Sequence, residues 1–426
     1  MAYGLGTDGC EGASVRRAVS DSDTVRRQNR GLVLDALRRL GPLPRTQLAG
    51  ETGLSHATIT AITSDMVGQS LLSELVEASP DLKSRGRPAI RIGFNRQAGY
   101  ALLIEIDVNK ARCSLIDYGG TLVDRVETLL TPESFAETSP TEFLNAHITN
   151  MQRRNPDTAP RMMRIALSVQ GILDRDGKSL KWSPVQHFAG DNLVAGLQER
   201  FNLPVVLFKR GRLLAEGMHW LFPEMHTANT ATVFVGATIA MGISLHGQSG
   251  WREGDTATEF GHMNHIPNGA LCRCGMLGCI EAYASDYGLL RSAYGVPDKT
   301  PPALAVPANQ YAKLITRAQQ GDREVIHAFN LAGNAIGTGI SRLMAAFDLT
   351  HILIVGPGAR AFPFIRQEME ASIAASLTAR VHGIPQIMTH EDESEPIFKG
   401  LMMKALVSLD QDDFAGLPAT SLSMVP

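Results

Sequence analysis

Four side chains near the middle of the 426-residue chain have types and spacing that could do metal chemistry: His262, then, after nine intervening residues, Cys272, Cys274 and Cys279. One imidazole and three thiolates suit tetrahedral Zn²⁺, and the glycines among them let the backbone fold tightly around an ion. With no open ligand position in the set, the zinc is expected to be structural. The competing reading is a redox-active cysteine cluster. The chain has five cysteines, an odd number, and Cys10 and Cys113 stand apart from the other three. That is the arithmetic of a metal site rather than of a disulfide framework.

A second set of residues points to nucleic acid. Residues 44–64 (PRTQLAGETGLSHATITAITS) carry Leu48, Ala49, Gly53, Leu54, Ile59 and Ile62 at helix-turn-helix spacing. Ala49 lets two helices cross closely, and Gly53 supplies a left-handed residue to end the first. Ser55 is placed to cap the second helix, whose Ile59 and Ile62 turn inward. Its outer face then presents His56, Ala57, Thr60 and Ala61, with Thr58 at the flank. Short polar and methyl-bearing side chains of this kind suit base edges in the major groove. Two strand-like runs follow, LLSELVEAS and AIRIGF, around a loop containing Lys83, Arg85, Gly86, Arg87 and Pro88. This reads as a wing whose Arg85 and Arg87 enter a narrow minor groove. The predicted DNA-contacting residues are therefore Ser55, His56, Thr58, Thr60, Arg85 and Arg87. An ordinary helical hairpin with a solvated charge run is the alternative.

The elements that must position these groups are legible in outline. A length of 426 residues suggests two or three domains. A hydrophobic content of 44%, a charged content of 19% and a net charge of −3 exclude a disordered polyelectrolyte and a strongly basic coat protein. DNA contact must then be local. Residues 21–95 carry a surplus of Lys and Arg over Asp and Glu, whereas the remainder is net negative, which assigns that contact to the front end. No apolar run approaches the ~20 residues of a membrane span, and the N-terminus lacks a signal peptide's apolar core, so a cytoplasmic protein without a membrane partner is expected. From Gly99 onward, strand-like runs (ALLIEID, ARCSLID, MRIALSVQG, LPVVLF, HILIVG) alternate with helical stretches. An α/β protein results, better suited to two lobes than to a barrel.

The run Gly261-His262, nine residues, Cys-x-Cys-Gly-x-x-Gly-Cys-x-Glu, continuing into AYAS, resembles the signature of the ROK family, which groups repressors of sugar genes with sugar kinases. The likeness extends over about residues 25–408. It implies an N-terminal winged helix-turn-helix followed by a two-lobed, actin-like ATPase (ribonuclease H-like) domain, with sugar in the cleft and zinc holding a sugar-facing loop. The boundaries expected are a loose tail at 1–20, the DNA-binding domain at 21–95, a first lobe at 96–215, a second lobe at 216–409 whose last helix returns to the first, and a loose tail at 410–426. By motif, Glu259, His262 and Glu281 become the effector ligands, His262 also binding the metal. Carboxylates fix hydroxyls by charge-assisted hydrogen bonds. Glu259 and Glu281 as outer support for the zinc is the alternative.

The chain departs from the family's kinases where catalysis would be done. The first phosphate loop, usually Asp-x-Gly-Gly-Thr, keeps Asp107 but has Asn109 and Lys110 where glycines belong. The run carrying the catalytic base reads VVLFKRGRLLAEG, with Phe208, Lys209 and Arg210 around the expected aspartate and Glu216 retained. No aspartate lies between Asp191 and Asp255. A second phosphate loop is reduced to Gly236-Ala237-Thr238, and a sugar-binding Asn is replaced by Val185. A non-enzymatic regulator of carbohydrate-related genes, a repressor, is expected, binding a double-stranded operator as a homodimer or dimer of dimers, with a sugar or sugar phosphate as a possible effector; the alternatives are a sugar kinase with an attached DNA-binding domain and an effector-independent DNA-binding regulator.

Overall fold

The computed structural model describes residues 22–76, 90–131, 134, 138–185, 188–190, 192–222, 225, 227–245, 248–249, 259–303 and 306–414. The chain divides into two compact units, one comprising residues 1–93 together with 410–426, the other residues 94–409.

In the first unit, helix α1 (Ser22–Leu40) is followed by strand β1 (Leu43–Pro44), helices α2 (Arg45–Thr52) and α3 (His56–Gly68), and strands β2 (Leu72–Val76) and β3 (Ile90–Phe94). The strands form a three-stranded sheet in the order β1-β3-β2. Helix α2 ends because Gly53 takes the left-handed conformation, its N–H closing back on the Ala49 carbonyl. Ser55 then starts α3, its Oγ accepting from the Thr58 amide at 3.1 Å. Leu48, Ile59 and Met66 are fully buried, as are Val33 and Leu37 of α1, which packs on α2 and α3. This is the expected winged helix-turn-helix, although the loop carrying Arg85 and Arg87 lies outside the described residues.

One expectation is corrected here. The chain from Asp410 does not begin a loose tail: Asp410–Phe414 form a π-helical turn. Arg38 of α1, buried, donates to both carboxylate oxygens of Asp410 at 3.0 and 3.1 Å. Arg30 donates to the carbonyl of Phe414, whose ring is fully buried. The apolar ring and the buried pair explain why the composition of the tail was misleading: the segment is held by partners some 370 residues earlier in the chain.

The second unit opens with the meander β4 (Tyr100–Ile106), β5 (Lys110–Asp117) and β6 (Leu122–Leu129). Helix α4 (Pro140–Arg154), strand β7 (Met162–Val169), the short strands β8 (Ile172–Leu173) and β9 (Leu180–Trp182), helix α5 (Leu193–Phe201), strand β10 (Val205–Lys209) and helix α6 (Arg210–Leu221) complete the first lobe. The second lobe has β11 (Thr230–Val235), β12 (Ile239–Leu245), β13 (Gln248–Ser249), helices α7 (Glu281–Ala284), α8 (Asp286–Ala293), α9 (Ala308–Gln319) and α10 (Arg323–Met344) and strand β14 (His351–Val355). Helices α11 (Phe362–Ala374) and α12 (Leu377–His382), strand β15 (Gln386–His390) and helix α13 (Ser394–Leu409) follow.

The two main sheets are built alike. One has the order β10-β7-β4-β5-β6 and the other β13-β12-β11-β14-β15. In each, an antiparallel three-strand meander is extended by two parallel strands on the far side of its first strand. This is the ribonuclease H-like architecture implied by the motif, used twice. The parallel strands need helical crossovers, and α4, α5, α10 and α11 supply them. Each sheet has its own apolar core, around Leu102, Ile104 and Leu167 in the first lobe and around Val233, Ile336 and Ile354 in the second. Helix α13 packs on α6, β7 and β4. The α6–α13 crossing is so close that a Cβ on Gly217 would lie 1.7 Å from the Pro396 carbonyl oxygen, so only glycine fits there. Among the described residues, no helix is long and apolar enough to cross a membrane.

Candidate functional site

The predicted metal ligands converge. His262 lies on a short 3-10 turn (Phe260–His262), and the three cysteines sit on tight turns leading into α7. Their ligand atoms all lie within 4.8 Å of one another. Cys274 and Cys279 place their sulfurs 3.7 Å apart, and Cys272 Sγ is 3.6 Å from His262 Nδ1. A tetrahedral ion with metal–sulfur bonds of ~2.3 Å separates its sulfurs by about 3.8 Å, so the donor set fits such an ion. Gly278 makes the fold of this knot possible: its φ is +82°, and a Cβ would sit 1.7 Å from the Ile266 carbonyl oxygen.

The electrostatics of the cluster favour a cation. Burial alone would lower the pKa of His262, but hydrogen bonds to Cys272 and Cys274 outweigh it and push it up to about 11. Sulfurs that stabilise a cationic imidazole in this way would likewise favour a metal cation, which takes the place of the ring proton. By contrast, burial pushes the isolated Cys113 thiol up to about 12, leaving it inert.

Glu281 is fully buried, and its carboxylate accepts from the Ile239 amide at 3.2 Å and from the Tyr287 hydroxyl at 3.4 Å, with Cys272 Sγ at 3.8 Å. Desolvation by burial raises its pKa to about 7. These bonds tie the metal knot to β12. Glu259, half-exposed at the start of the His262 turn, is ion-paired with Lys209 Nζ.

Glu259, His262 and Glu281 all line one cleft, together with Gln170, Trp182, Pro184, Lys209, Arg210, Arg212 and Thr238. The structure thus brings together the three residues expected to hold an effector. Trp182 had no signal in the sequence: it comes from β9, and its ring meets that of His262 edge-on at 5.2 Å between centroids. Lys209 and Arg210, read from the sequence only as departures from a catalytic motif, turn out to line the cleft. Val185, standing where the family has Asn, is buried and is not among the lining residues.

At the β4–β5 and β11–β12 turns, the chain's own arginines make the contacts. Arg210, buried, is 3.1 Å from the Asp107 carboxylate and 3.8 Å from that of Glu393. Gln170 Nε2 also donates to Asp107 Oδ1, at 3.1 Å. In the other lobe, Arg273 donates to the carbonyls of Ala237 at 2.8 Å and Ala303 at 2.9 Å and lies over the Tyr287 ring. Glu216 is used structurally, paired with Lys404 at 3.2 Å and accepting from Trp220 Nε1.

On α3 of the first unit, Ser55, His56, Ala57, Thr60 and Ala61 are exposed, while Thr58 is half-buried. The three hydroxyls among these residues are already engaged locally: Ser55 Oγ and Thr58 Oγ1 are 2.8 Å apart, and Thr60 Oγ1 donates to the His56 carbonyl. His56 and the methyl groups of Ala57 and Ala61 therefore form the least committed part of the face.

Residues 102–396 match the ROK family. The chain is 23% identical over 364 residues to the "Xylose repressor" of Bacillus subtilis (strain 168), covering 85% of this chain and 91% of the relative. It is 23% identical over 384 residues to the "DNA-binding transcriptional dual regulator NagC" of Escherichia coli (strain K12), covering 89% and 93%. Among solved structures, a ROK family transcriptional regulator described as a homologue of the E. coli MLC protein superposes with a TM-score of 0.68 at 20% identity, covering 90% of this chain and 99% of that one. A ROK family glucokinase from Streptomyces griseus, solved with glucose and AMPPNP, gives 0.56 at 18% identity over 72% of this chain and 99% of that one. With more than half its length matched and the His-Cys₃ knot in place, the chain belongs to the ROK family.

Proposed function

We propose that this protein is a sequence-specific, DNA-binding repressor of carbohydrate-related genes, governed by a sugar-like effector in the cleft and stapled by a structural Zn²⁺ on His262, Cys272, Cys274 and Cys279. The observation that carries the reading is the exposed face of α3, anchored by Ile59 and Met66 and set by the Gly53 turn and the Ser55 cap. Such a helix presents its N-terminal residues to base edges in the major groove. The relatives named as repressors, matched along most of both chains, support the same reading. Homodimers would align two such helices with a two-half-site operator, and effector binding between Glu259, His262 and Glu281 would alter lobe closure and so their spacing.

The shared fold with glucokinases makes phosphoryl transfer the second reading. Against it, the β10–α6 corner presents Phe208, Lys209 and Arg210 where a kinase needs a carboxylate, and Asp107 is committed to Arg210. ATP-dependent phosphorylation of any hexose, lost in Glu259→Ala, would reverse this preference.

The regulator reading is tested by operator mapping and binding. His56→Ala should weaken operator binding by about 10-fold or more while leaving non-specific binding intact, since a good base contact is worth ~1–3 kcal/mol. Arg87→Ala should weaken it chiefly at A·T-rich positions. A protein with no preferred genomic sites, or His56→Ala with unchanged preference, would defeat the assignment.

A further inference from the structure

Helix α3 is held at its far end by a residue of α1. Arg30, whose side chain is 3% exposed, donates from Nη1 to Asp65 Oδ2 at 2.7 Å and from Nη2 to Gln69 Oε1 at 2.7 Å. Asp65 lies in the last turn of α3 and Gln69 caps it, the Gln69 amide closing on the Asp65 carbonyl at 3.0 Å. Gln69 Nε2 donates in turn to Asp65 Oδ1 at 3.3 Å, and the exposed Arg26 brings a second guanidinium to Asp65 at 2.9 Å. Nη2 of Arg30 also donates to the Phe414 carbonyl at 2.9 Å. One buried guanidinium thus joins α1, the C-terminal end of α3 and the turn Asp410–Phe414, all within one compact unit.

That turn is itself fixed, by the buried Phe414 ring and by the two-oxygen grip of Arg38 on Asp410. Asp410 follows directly on Leu409, the last residue of α13, so the turn is where the chain enters the DNA-binding unit a second time. The apolar contacts of Ile59 and Met66 hold α3 down but tolerate rotation and tilt, because burial is not directional. A planar guanidinium bonded to several acceptors fixes direction as well as distance. His56 and Asp65 lie roughly 13 Å apart along the helix axis, so a tilt of about 10° around the Arg30 contact would displace the reading end by roughly 2 Å. Hydrogen bonds to base edges hold over a range of about 0.5 Å.

Resting on the reading of α3 as the recognition helix, we infer that Arg30 is a positioning residue for operator reading: by bridging Asp65 and Gln69 to the Phe414 carbonyl, it sets the tilt of α3 against the Asp410–Phe414 turn. Being buried, Arg30 acts through the place it gives His56 and not by contact with DNA. Its loss therefore falls on the sequence-specific part of binding, which needs exact placement, and spares the part that needs only positive charge near phosphates.

The test is fluorescence anisotropy of the full-length protein on the duplex that genomic mapping returns as its preferred site and on a scrambled duplex of equal length. Arg30→Gln should weaken the preferred duplex about 10-fold or more and the scrambled one less than about 2-fold, with Arg30→Lys in between, since an ammonium keeps the charge but not the fork. A chain stopped after Leu409 should show the same loss, and adding Arg30→Gln to it should cost little more, because the two changes break one bridge; a chain stopped after Phe414 should bind as the full chain does. Melting temperature and zinc content establish folding, and if the chain stopped after Leu409 loses its first unit, Asp410→Asn takes its place, with a smaller loss of the same kind. Equal weakening of both duplexes, unchanged affinity in Arg30→Gln, additive losses, or a chain stopped after Phe414 as weak as one stopped after Leu409 would overturn the inference. Hydrogen exchange separates this from the regulator reading: a protein with no preferred duplex would strike that reading, while α3 amides that exchange no faster in Arg30→Gln than in the parent chain would strike this one.

Discussion

The two lobes carry the same strand order, yet the hairpin turns at equivalent places, between β4 and β5 and between β11 and β12, have diverged in opposite ways. The first turn has no glycine. It closes through the Asp107 amide on the Lys110 carbonyl and offers a carboxylate, which Arg210 and Gln170 take up. The second keeps Gly236, whose amide reaches the Thr238 carbonyl, and offers a main-chain carbonyl, Ala237 O, to Arg273. In both, a guanidinium of the chain itself contacts the turn that would face phosphates in a kinase. Each guanidinium lies over a ring, Arg210 over Phe234 and Arg273 over Tyr287, and the lobes differ in the polar groups that secure it: two carboxylates in the first, chiefly main-chain carbonyls in the second. Topology is thus retained where the turn chemistry is not, because strand order depends on buried apolar faces and crossover connections, whereas turn residues answer only to local partners.

The largest expected asymmetry is the response to metal removal. Stripping zinc with a chelator, or Cys274→Ser, should unfold the second lobe's knot and lower the melting transition by 10 °C or more, since metal binding to such a site is folding free energy. The first lobe, with its own core and no comparable ligand cluster among its described residues, should persist. Hydrogen exchange would read this directly: amides of residues 259–300 should lose protection while β4, β5 and β7 keep theirs. Equal loss in both lobes, or no metal in protein purified without chelator, would break the distinction.

A smaller difference is expected between the carboxylates that face the two arginines. Asp107→Ala leaves the buried Arg210 with one carboxylate, Glu393 at 3.8 Å, and the Phe234 ring at 5.2 Å, and should cost about 3 kcal/mol in stability, as removing one partner of a buried pair does. Asp286→Ala should cost about 1 kcal/mol or less. Arg273 keeps two carbonyl acceptors and the Tyr287 ring, and its contact with Asp286 is long, at 3.9 Å. Urea unfolding of the two variants would settle the order, and a costlier Asp286→Ala would show that the second lobe depends on charge pairing after all.

What could be read beforehand follows the same division between local and distant. The His-Cys₃ knot was legible because its ligands lie within 18 residues and their spacing is itself the geometry. The helix-turn-helix was legible for the same reason: Gly53, Ser55 and Ile59 act on one another across a single turn. The strand runs of both lobes were recognisable from their apolar character, but nothing in them shows that the two sheets share an order, which depends on pairings such as β11 with β14, more than 100 residues apart. Trp182 beside His262, Lys209 against Glu259 and Asp410 against Arg38 escaped for that reason. Each is a polar or aromatic residue whose role exists only once distant segments meet.

The smallest expected effect is the pH dependence contributed by Asp286. Desolvation raises the pKa of Asp286 from 3.8 to about 6, opposed by the nearby Arg273 charge. A carboxyl whose folded pKa lies above its unfolded value binds more protons in the folded state, so its contribution is fully present below pH 3.8 and is lost as pH rises through about 6. The corresponding loss is about 3 kcal/mol at most, given ~1.4 kcal/mol per unit for a fully buried group. Asp286→Asn cannot ionise and should flatten this part of the stability profile, leaving the variant relatively more stable at pH 7 than at pH 4 when each is compared with the parent chain. Denaturant midpoints measured at both pH values give the difference. An unchanged profile would mean that Asp286 is ionised throughout, with Arg273 as a full partner, and the second turn would then be held by a charge pair just as the first is.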